Sequence, residues 1–195
     1  MRIAICGIDG AGKSTIINKL FKYYSNITAV QVCKVEFKCK NFFDHILNYD
    51  ASIERKVTLR AYMAYDFVNY YFGFQNCNEL LLCDRYDICY QVLNQVEELP
   101  QKYIDILNEI YSIIPEADLY VYIDVPVQVA SMRLNNRGNR ASNENDDILM
   151  KMKSHYNKEL QSKKNVLIID GNCLLDEIIN KIVYKINCSL EVKND

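Results

Sequence analysis

The sequence lacks the features of several large classes of protein. No run of about 18 apolar residues occurs and no apolar stretch near the N-terminus resembles a signal peptide, so we expect neither a membrane-spanning nor a secreted protein. The formal net charge is only −2 over 195 residues, which argues against a broad surface for nucleic acid or an anionic membrane. Internal repeats and long linkers are also absent, and the length predicts one domain spanning residues 1–195.

Cysteine motifs for metal binding are missing as well. Eight cysteines are present, but no two are spaced as C-x-x-C, and Cys6 and Cys83 lie inside apolar runs. We therefore expect buried, reduced thiols in a cytoplasmic protein rather than disulfides or a zinc site.

The chain does contain a strong phosphate-binding motif near its N-terminus. Residues 7–14 read G-I-D-G-A-G-K-S and match G-x-x-x-x-G-K-[ST], between an apolar run at 3–6 and an amphipathic segment at 15–24. Glycines let backbone N–H groups converge on one point, and the N-terminus of the following helix adds positive potential. The motif therefore predicts a nucleoside triphosphate site formed by Gly7, Asp9, Gly10, Ala11, Gly12, Lys13, Ser14 and Thr15.

Apolar runs of strand length alternate with helical stretches along the chain. Their apolar character is continuous rather than alternating, and they lie at 3–6, 29–35, 80–83, 119–125 and 166–169. Such runs are typical of strands buried on both faces of a parallel sheet. We therefore predict an α/β fold with five parallel strands flanked by helices. Ligands of such sheets bind at the carboxyl ends of the strands, which here carry Gly7, Glu36, Asp84, Asp124 and Asp170.

One polar segment, residues 135–147, separates two predicted helices at 127–134 and 148–160. It contains Arg137 and Arg140, followed by acidic residues. Taken alone, the segment is equally well explained as a solvated loop. Beside a phosphate-binding loop, an arginine-bearing flap explains it better, because phosphoryl transfer requires exclusion of water and stabilisation of charge.

A second motif follows the third apolar run, where residues 79–86 read E-L-L-L-C-D-R-Y. A strand ending in Asp is the usual partner of a phosphate-binding loop in holding Mg²⁺. The combination of G-I-D-G-A-G-K-S-T, D-R-Y, the flap arginines and I-I-D-G at 168–171 resembles the thymidylate kinase family over residues 1–172. The resemblance implies a homodimeric P-loop kinase with a flap (LID). It also implies use of ATP and Mg²⁺ to phosphorylate a (deoxy)nucleoside 5′-monophosphate, with dTMP as the first candidate.

The resemblance implies roles for residues around the acceptor and the metal. Asp9 would face the sugar of the acceptor nucleotide, and Arg85 would bind its 5′-phosphate. Asp84 would organise the Mg²⁺ shell together with the Ser14 hydroxyl.

The source of the catalytic arginine also follows from the resemblance. Position 10 is a glycine where one branch of the family carries an arginine. We therefore expect the arginine to come from the flap, as Arg137 or Arg140, with Arg133 as a support. The predicted catalytic residues are Lys13, Arg85, Arg137 and Arg140.

The acceptor pocket departs from the family pattern in two places. After the second strand the family has Arg-Glu-Pro-Gly-Gly, but here only Glu36 fits, and Lys34, Lys38 or Lys40 could supply the lost charge without the bidentate geometry of arginine.

The second departure lies on the predicted helix at 52–74, where an aromatic–arginine pair becomes Tyr62 and Asp66, one turn apart. An ionised Asp66 only accepts hydrogen bonds, so it favours a base that donates them. Asn94 stands at the position of a base-reading glutamine. The predicted substrate-binding residues are Asp9, Glu36, Tyr62, Asp66, Arg85 and Asn94.

Four alternatives stay open at this point. The acceptor could be another pyrimidine monophosphate. A deoxynucleoside kinase would need a carboxylate base, which Glu36 could provide, although the D-R-Y triplet disfavours it. A nucleotide-gated switch lacks a guanine-specifying N-K-x-D motif, since 157–160 reads N-K-E-L. A binding module without catalysis is suggested by the missing second-strand motif. No nucleic-acid or membrane partner is expected.

Overall fold

The computed structural model describes residues 1–36, 52–138 and 144–191. Five parallel strands form one sheet in the order β2-β3-β1-β4-β5. Their bounds are β1 Arg2–Cys6, β2 Val30–Cys33, β3 Leu80–Asp84, β4 Leu119–Asp124 and β5 Val166–Asp170. The predicted α/β fold with five parallel strands is confirmed, although β2 is shorter than the apolar run at 29–35 that predicted it.

Helices connect these strands in the described part of the chain. They are α1 Lys13–Tyr24, α2 Ile53–Phe72, α3 Asp87–Val96, α4 Gln101–Ser112, α5 Val127–Asn136, α6 Asp146–Glu159 and α7 Leu175–Glu191, with a 3₁₀ turn at Leu160–Ser162. None of these helices combines the length and the apolar character needed to cross a membrane.

The centre and the edges of the sheet differ in burial. In β1, which lies between β3 and β4, the side chains from Ile3 to Cys6 are fully buried. The edge strands are more open, with Val32 of β2 39% exposed and Ile168 of β5 62% exposed. The prediction that all five strands are buried on both faces is therefore wrong for the edges, because continuous apolar sequence does not reveal the order of strands in a sheet.

The register of the sheet brings the functional segments to one edge. Ile5 of β1 pairs with Asp84 of β3, and Cys6 pairs with Tyr122 of β4, so the loop after Cys6 begins beside both neighbouring strands. A side chain at Gly7 would not fit there, since its Cβ would lie 2.8 Å from the carbonyl oxygen of Ile123. This close approach fixes where the loop leaves the sheet.

The helices on both sides of the predicted flap are confirmed. Helix α5 is followed by Arg137, and α6 begins after Asn145, whose Oδ1 accepts a hydrogen bond of 2.9 Å from the Ile148 N–H. Arg140 of the flap, and the lysines at 38 and 40 after β2, lie outside the described residues.

Every cysteine in the described part of the chain is free. The Sγ atoms of Cys6 and Cys89 lie 3.6 Å apart in the core, and Cys33 of β2 is the register partner of Cys83 in β3. All four are buried.

Candidate active site

A cavity of about 660 Å³ opens at the carboxyl edge of the central strands. Most of the predicted phosphate-binding and catalytic residues line it, namely Asp9, Gly10, Gly12, Lys13, Ser14, Thr15, Asp84, Arg85 and Arg137. Gly7 and Ala11 belong to the same loop but lie behind the lining, with Ala11 buried. The cavity therefore joins the loop at 7–14, the end of β3 and the start of the flap.

The loop leaves the start of α1 open toward this cavity. Gly10 and Gly12 have φ angles of +83° and +94°, and a Cβ at Gly10 would lie 2.5 Å from the carbonyl oxygen of Ala130. Helix α1 has Gly12 at its N-cap, lacks a side-chain cap and has no acidic residue in its first turn. Backbone N–H groups and the positive end of the helix dipole are thus available to an anion. This arrangement fits a polyphosphate.

Lys13 lies at the base of the cavity and is held by the loop itself. Its Nζ donates hydrogen bonds of 2.8 and 2.9 Å to the carbonyl oxygens of Gly7 and Ile8, and it lies 3.6 Å from Oδ1 of Asp9. Burial and the nearby Arg85 guanidinium lower the pKa of Lys13, while the Asp9 carboxylate opposes them. The loop therefore concentrates positive charge where the phosphates of a nucleotide would lie.

Arg85 connects the end of β3 with the same loop. It adopts a φ of +74°, a left-handed conformation uncommon for a residue with a side chain, and its Nη2 donates a hydrogen bond to Asp9 Oδ1. Burial raises the pKa of Asp9, but Arg85 and Lys13 together outweigh it and hold that pKa below its usual value. Asp9 is therefore an ionised carboxylate between two cations.

Two oxygen ligands suited to Mg²⁺ share the cavity, the Ser14 hydroxyl and the Asp84 carboxylate. The described residues contain no group of three His, Cys, Asp or Glu side chains that could hold a metal by themselves. Mg²⁺ is commonly bound by one or two carboxylates with waters and substrate phosphates, so this donor set fits a nucleotide-bound Mg²⁺. Lys34 Nζ lies 3.6 Å from Asp84 Oδ2, which brings a cation from the end of β2 to this side of the cavity.

Two arginines from α5 and its C-terminal end reach the cavity. Arg137 is exposed and lines the opening. Arg133 donates hydrogen bonds of 3.4 Å to the carbonyl oxygen of Ala11 and 3.0 Å to that of Gly171, so it bridges the loop at 7–14 and the segment after β5. The structure thus places Arg137, one of the two predicted flap arginines, at the site. Arg133, which we predicted to support it, is held in place by its two hydrogen bonds to backbone carbonyl oxygens.

The predicted acceptor residues are not brought together with these groups. Glu36 is exposed after β2, Tyr62 is exposed on α2 and Asp66 is half-buried on the same helix. Asn94 is fully buried on α3. None of the four lines the cavity as the described residues form it, and their roles stay predictions.

Sequence reasoning missed Tyr90, which lines the cavity one helical turn before Asn94. Its ring packs against Phe67 at 5.3 Å and is stacked on Tyr111 at 5.7 Å. The sequence feature that could have indicated Tyr90 is its position in the first turns of the helix that follows Asp84 and Arg85.

Comparisons with known proteins show which family the chain resembles over nearly its whole length. The family model described as Thymidylate kinase matches residues 5–182. The thymidylate kinase of Thermosipho melanesiensis is 29% identical over 207 residues, covering 98% of this chain and 100% of its own length. The thymidylate kinase of Fervidobacterium nodosum is 26% identical, covering 97% of this chain and 100% of its own length.

Similar solved structures include that of deoxyadenosine kinase from M. mycoides with products dCMP and a flexible dCDP bound. Its TM-score is 0.76 at 19% identity, over 96% of this chain and 100% of that chain. At this identity the likeness shows the fold alone.

Proposed function

This chain belongs to the thymidylate kinase family, and we propose that it transfers the γ-phosphoryl group of ATP to the 5′-phosphate of a nucleoside monophosphate, with dTMP as the first candidate. The enzyme is a kinase, hence a transferase. We also propose a cytoplasmic location and a homodimer in which the exposed aromatic side chains of α2, Tyr65 and Phe72, contribute to the interface.

The observation that carries the proposal is the convergence of Lys13 and Arg85 on Asp9. The two cations belong to different segments, the loop at 7–14 and the end of β3, and both line one cavity. We infer that two phosphate-bearing groups bind side by side in this cavity, the polyphosphate of ATP at the loop and the acceptor phosphate at Arg85. Holding two anions in line is the main requirement of phosphoryl transfer.

The chain's own groups would act by binding and by neutralising charge. Lys13 would exchange its contacts with the carbonyl oxygens of Gly7 and Ile8 for phosphate oxygens of ATP, and Arg85 would orient the acceptor phosphate. Arg137 would approach the transferred group from the opening of the cavity. Mg²⁺, held through Ser14 and Asp84, would supply further neutralisation of the β- and γ-phosphate oxygens.

The carboxylates support a phosphate acceptor over a hydroxyl acceptor. A sugar hydroxyl would need a general base, whereas a phosphate oxygen is already ionised. Asp9 is bound by two cations and has a lowered pKa, which makes it a poor base. Glu36, the other candidate base, does not line the described cavity.

The test is a coupled ADP-release assay with ATP and Mg²⁺ across a panel of nucleosides and nucleoside monophosphates. We expect turnover with monophosphates, fastest with a pyrimidine, and little with nucleosides. Turnover restricted to nucleosides would favour the deoxynucleoside kinase alternative. ADP release that is independent of any acceptor would favour the nucleotide-gated switch.

A further inference from the structure

We propose that Lys163 is a positioning residue for Arg85, acting through a buried ion pair with Asp87. The inference rests on the proposed function, in which Arg85 binds the acceptor phosphate, and it adds a residue that does not line the described cavity. Lys163 directly follows the 3₁₀ turn after α6 and lies 76 residues along the chain from Asp87. No local sequence motif therefore connects the two residues.

The backbone at Arg85 needs support from its surroundings. Its φ of +74° is left-handed, a conformation that is unfavourable for a residue with a side chain and persists only where neighbouring contacts hold it. Two such contacts are hydrogen bonds from tyrosine hydroxyls. Tyr71 donates to the carbonyl oxygen of Arg85 at 3.4 Å, and Tyr86 donates to that of Pro115 at 2.8 Å. Asp87, the first residue of α3, provides the third anchor of this segment.

Asp87 is held by two donors from distant parts of the chain. The Tyr120 hydroxyl of β4 donates to the carboxylate and lies 3.0 and 3.1 Å from its two oxygens. Lys163 Nζ donates to Oδ2 of the same carboxylate at 2.8 Å. The side chains of Lys163 and Asp87 are only 7% and 8% exposed. This ion pair, shielded from water, ties the start of α3 to the segment that follows α6.

The surroundings of Lys163 keep its ammonium charged. Its Nζ also donates a hydrogen bond of 2.8 Å to Oε1 of the exposed Glu116, and it lies 5.2 Å from the ring centroid of Tyr120. Burial lowers the pKa of Lys163, but the carboxylates of Asp87 and Glu116 outweigh it and hold that pKa above its usual value. Lys163 is therefore protonated at neutral pH and compensates the buried charge of Asp87.

Loss of the Lys163 charge would act on Arg85 through the backbone. The Asp87 carboxylate would stay buried with the neutral Tyr120 hydroxyl as its donor, and a buried charge without its counter-ion is strongly unfavourable. Turning toward water relieves this cost. Because Asp87 lies two residues after Arg85, such a turn moves the start of α3 and the guanidinium with it. A displacement of about 1 Å at a group that orients a substrate can cost about a hundredfold in rate.

The kinetic test compares Lys163→Met with Lys164→Met, the same change at the adjacent, exposed lysine. We expect Lys163→Met to lower kcat/KM for the acceptor by about tenfold to a hundredfold. The ATP KM should stay nearly unchanged, since the loop at 7–14 is held by its own contacts with Lys13. Lys164→Met should behave as wild type. Unaltered acceptor kinetics in Lys163→Met overturn the proposal.

Two further variants separate positioning from a general loss of stability. Ile182 is fully buried in α7, so Ile182→Ala should lower the melting temperature and leave the acceptor kinetics unaltered. An equal loss of acceptor kcat/KM in Ile182→Ala would overturn the proposal. The double variant Lys163→Met/Asp87→Asn removes both charges and keeps an acceptor for the Tyr120 hydroxyl, so it should recover most of the lost activity. A double variant as impaired as Lys163→Met would show that the effect does not pass through Asp87, which also overturns the proposal.

Hydrogen exchange of the unliganded protein tests the positioning without turnover. The Cys89 N–H donates to the carbonyl oxygen of Tyr86 at 2.9 Å, so its protection reports on the start of α3. Lys163→Met should speed exchange in a peptide covering 84–89 and leave β1 protected, whereas Lys164→Met should change neither. Unchanged exchange at 84–89 in Lys163→Met overturns the proposal. A wild-type protein that turns over no monophosphate would contradict the proposed function, while the exchange comparison still decides whether Lys163 holds this segment.

Discussion

The phosphate end of the cavity and its predicted nucleoside end are formed by different kinds of structure. At the phosphate end, one continuous loop between β1 and α1 supplies backbone N–H groups and leads into Lys13, the first residue of α1. The end of β3 supplies Asp84, and Arg85 follows it directly.

At the predicted nucleoside end, Tyr90 of α3 lines the described cavity, whereas the candidate side chains Tyr62, Asp66 and Asn94 of α2 and α3 do not. The positions of these side chains depend on how the two helices pack on each other and on α4.

Because of this difference, we expect the residues that take part in phosphoryl transfer to be distinct from those that select the acceptor. Contacts made by a backbone loop with phosphates do not depend on the base, so changes at the phosphate end should affect every acceptor alike. Side chains on helices can be exchanged without moving the loop, so changes at the nucleoside end should alter the order of preference among acceptors.

The largest effect is expected from Lys13→Ala. Its ammonium is held by the carbonyl oxygens of Gly7 and Ile8 on the wall of the cavity, where the transferred phosphoryl group would bind. Turnover should be abolished with every monophosphate in the panel, measured by ADP release. The matched control is Lys19→Ala, an exposed lysine on the same helix, which should behave as wild type. Loss of activity with only one acceptor would contradict the expectation that changes at the phosphate end affect every acceptor alike.

A smaller but still large effect is expected at the flap. If Arg137 is the catalytic arginine, Arg137→Ala should lower kcat on the order of 10³-fold, as for an arginine finger, and leave ATP affinity nearly unchanged. Arg140→Ala should then have little effect, and the reverse pattern would assign the role to Arg140. A double variant with near-normal kcat would exclude the flap as the source.

Arg85→Ala should cost about 2–4 kcal/mol of transition-state stabilisation, because a charge-assisted contact with the acceptor phosphate is lost. Steady-state kinetics with ATP and acceptor varied separately would show the loss in the acceptor parameters. Arg85→Lys keeps the charge but not the paired donors, so it should recover only part of the activity. Unaltered acceptor kinetics in Arg85→Ala would remove Arg85 from the acceptor half of the site.

The phosphate end could be predicted from sequence because its geometry is local. The loop at 7–14 joins adjacent elements, so the motif itself determines which groups face the cavity. The order of the strands in the sheet could not be predicted from such a local motif. The sequence therefore did not indicate that β2 and β5 are edge strands with exposed side chains.

The nucleoside end could not be predicted with the same accuracy. Counting ten residues from Asp84 gives Asn94, but α3 directs that position into the core, and Tyr90, one turn earlier, reaches the cavity. Counting along a sequence does not give the rotation of a helix against its neighbours. That rotation is set by packing, here by the cluster of Phe67, Tyr90 and Tyr111.

The smallest effect is expected from substitution of Asp66, which should change the selectivity among acceptor nucleotides. This substitution is also the most direct test of the predicted nucleoside end. Asp66 lies on α2 one turn after Tyr62, is half-buried and does not line the described cavity. If it reads the base, an ionised carboxylate favours a base that donates, such as cytosine through its N4 amino group. Asp66→Ala should then shift the preference among dTMP, dUMP, dCMP, CMP and dGMP by about tenfold to a hundredfold.

The control for that change is Asn69→Ala, an exposed position on the same helix, which should leave the preferences as they are. Asp66→Asn sharpens the result, because the amide keeps the shape of the carboxylate but can also donate to a carbonyl such as thymine O4. Asp66→Asn should therefore shift the acceptor preference toward dTMP relative to wild type, whereas Asp66→Ala should only reduce the differences in activity among the acceptors. If the wild type is strictly selective for dTMP and both variants keep that selectivity, Asp66 lies outside the base pocket. The residues that select the base must then be sought nearer to Tyr90, because that side chain reaches the cavity from α3 whereas Asn94 does not.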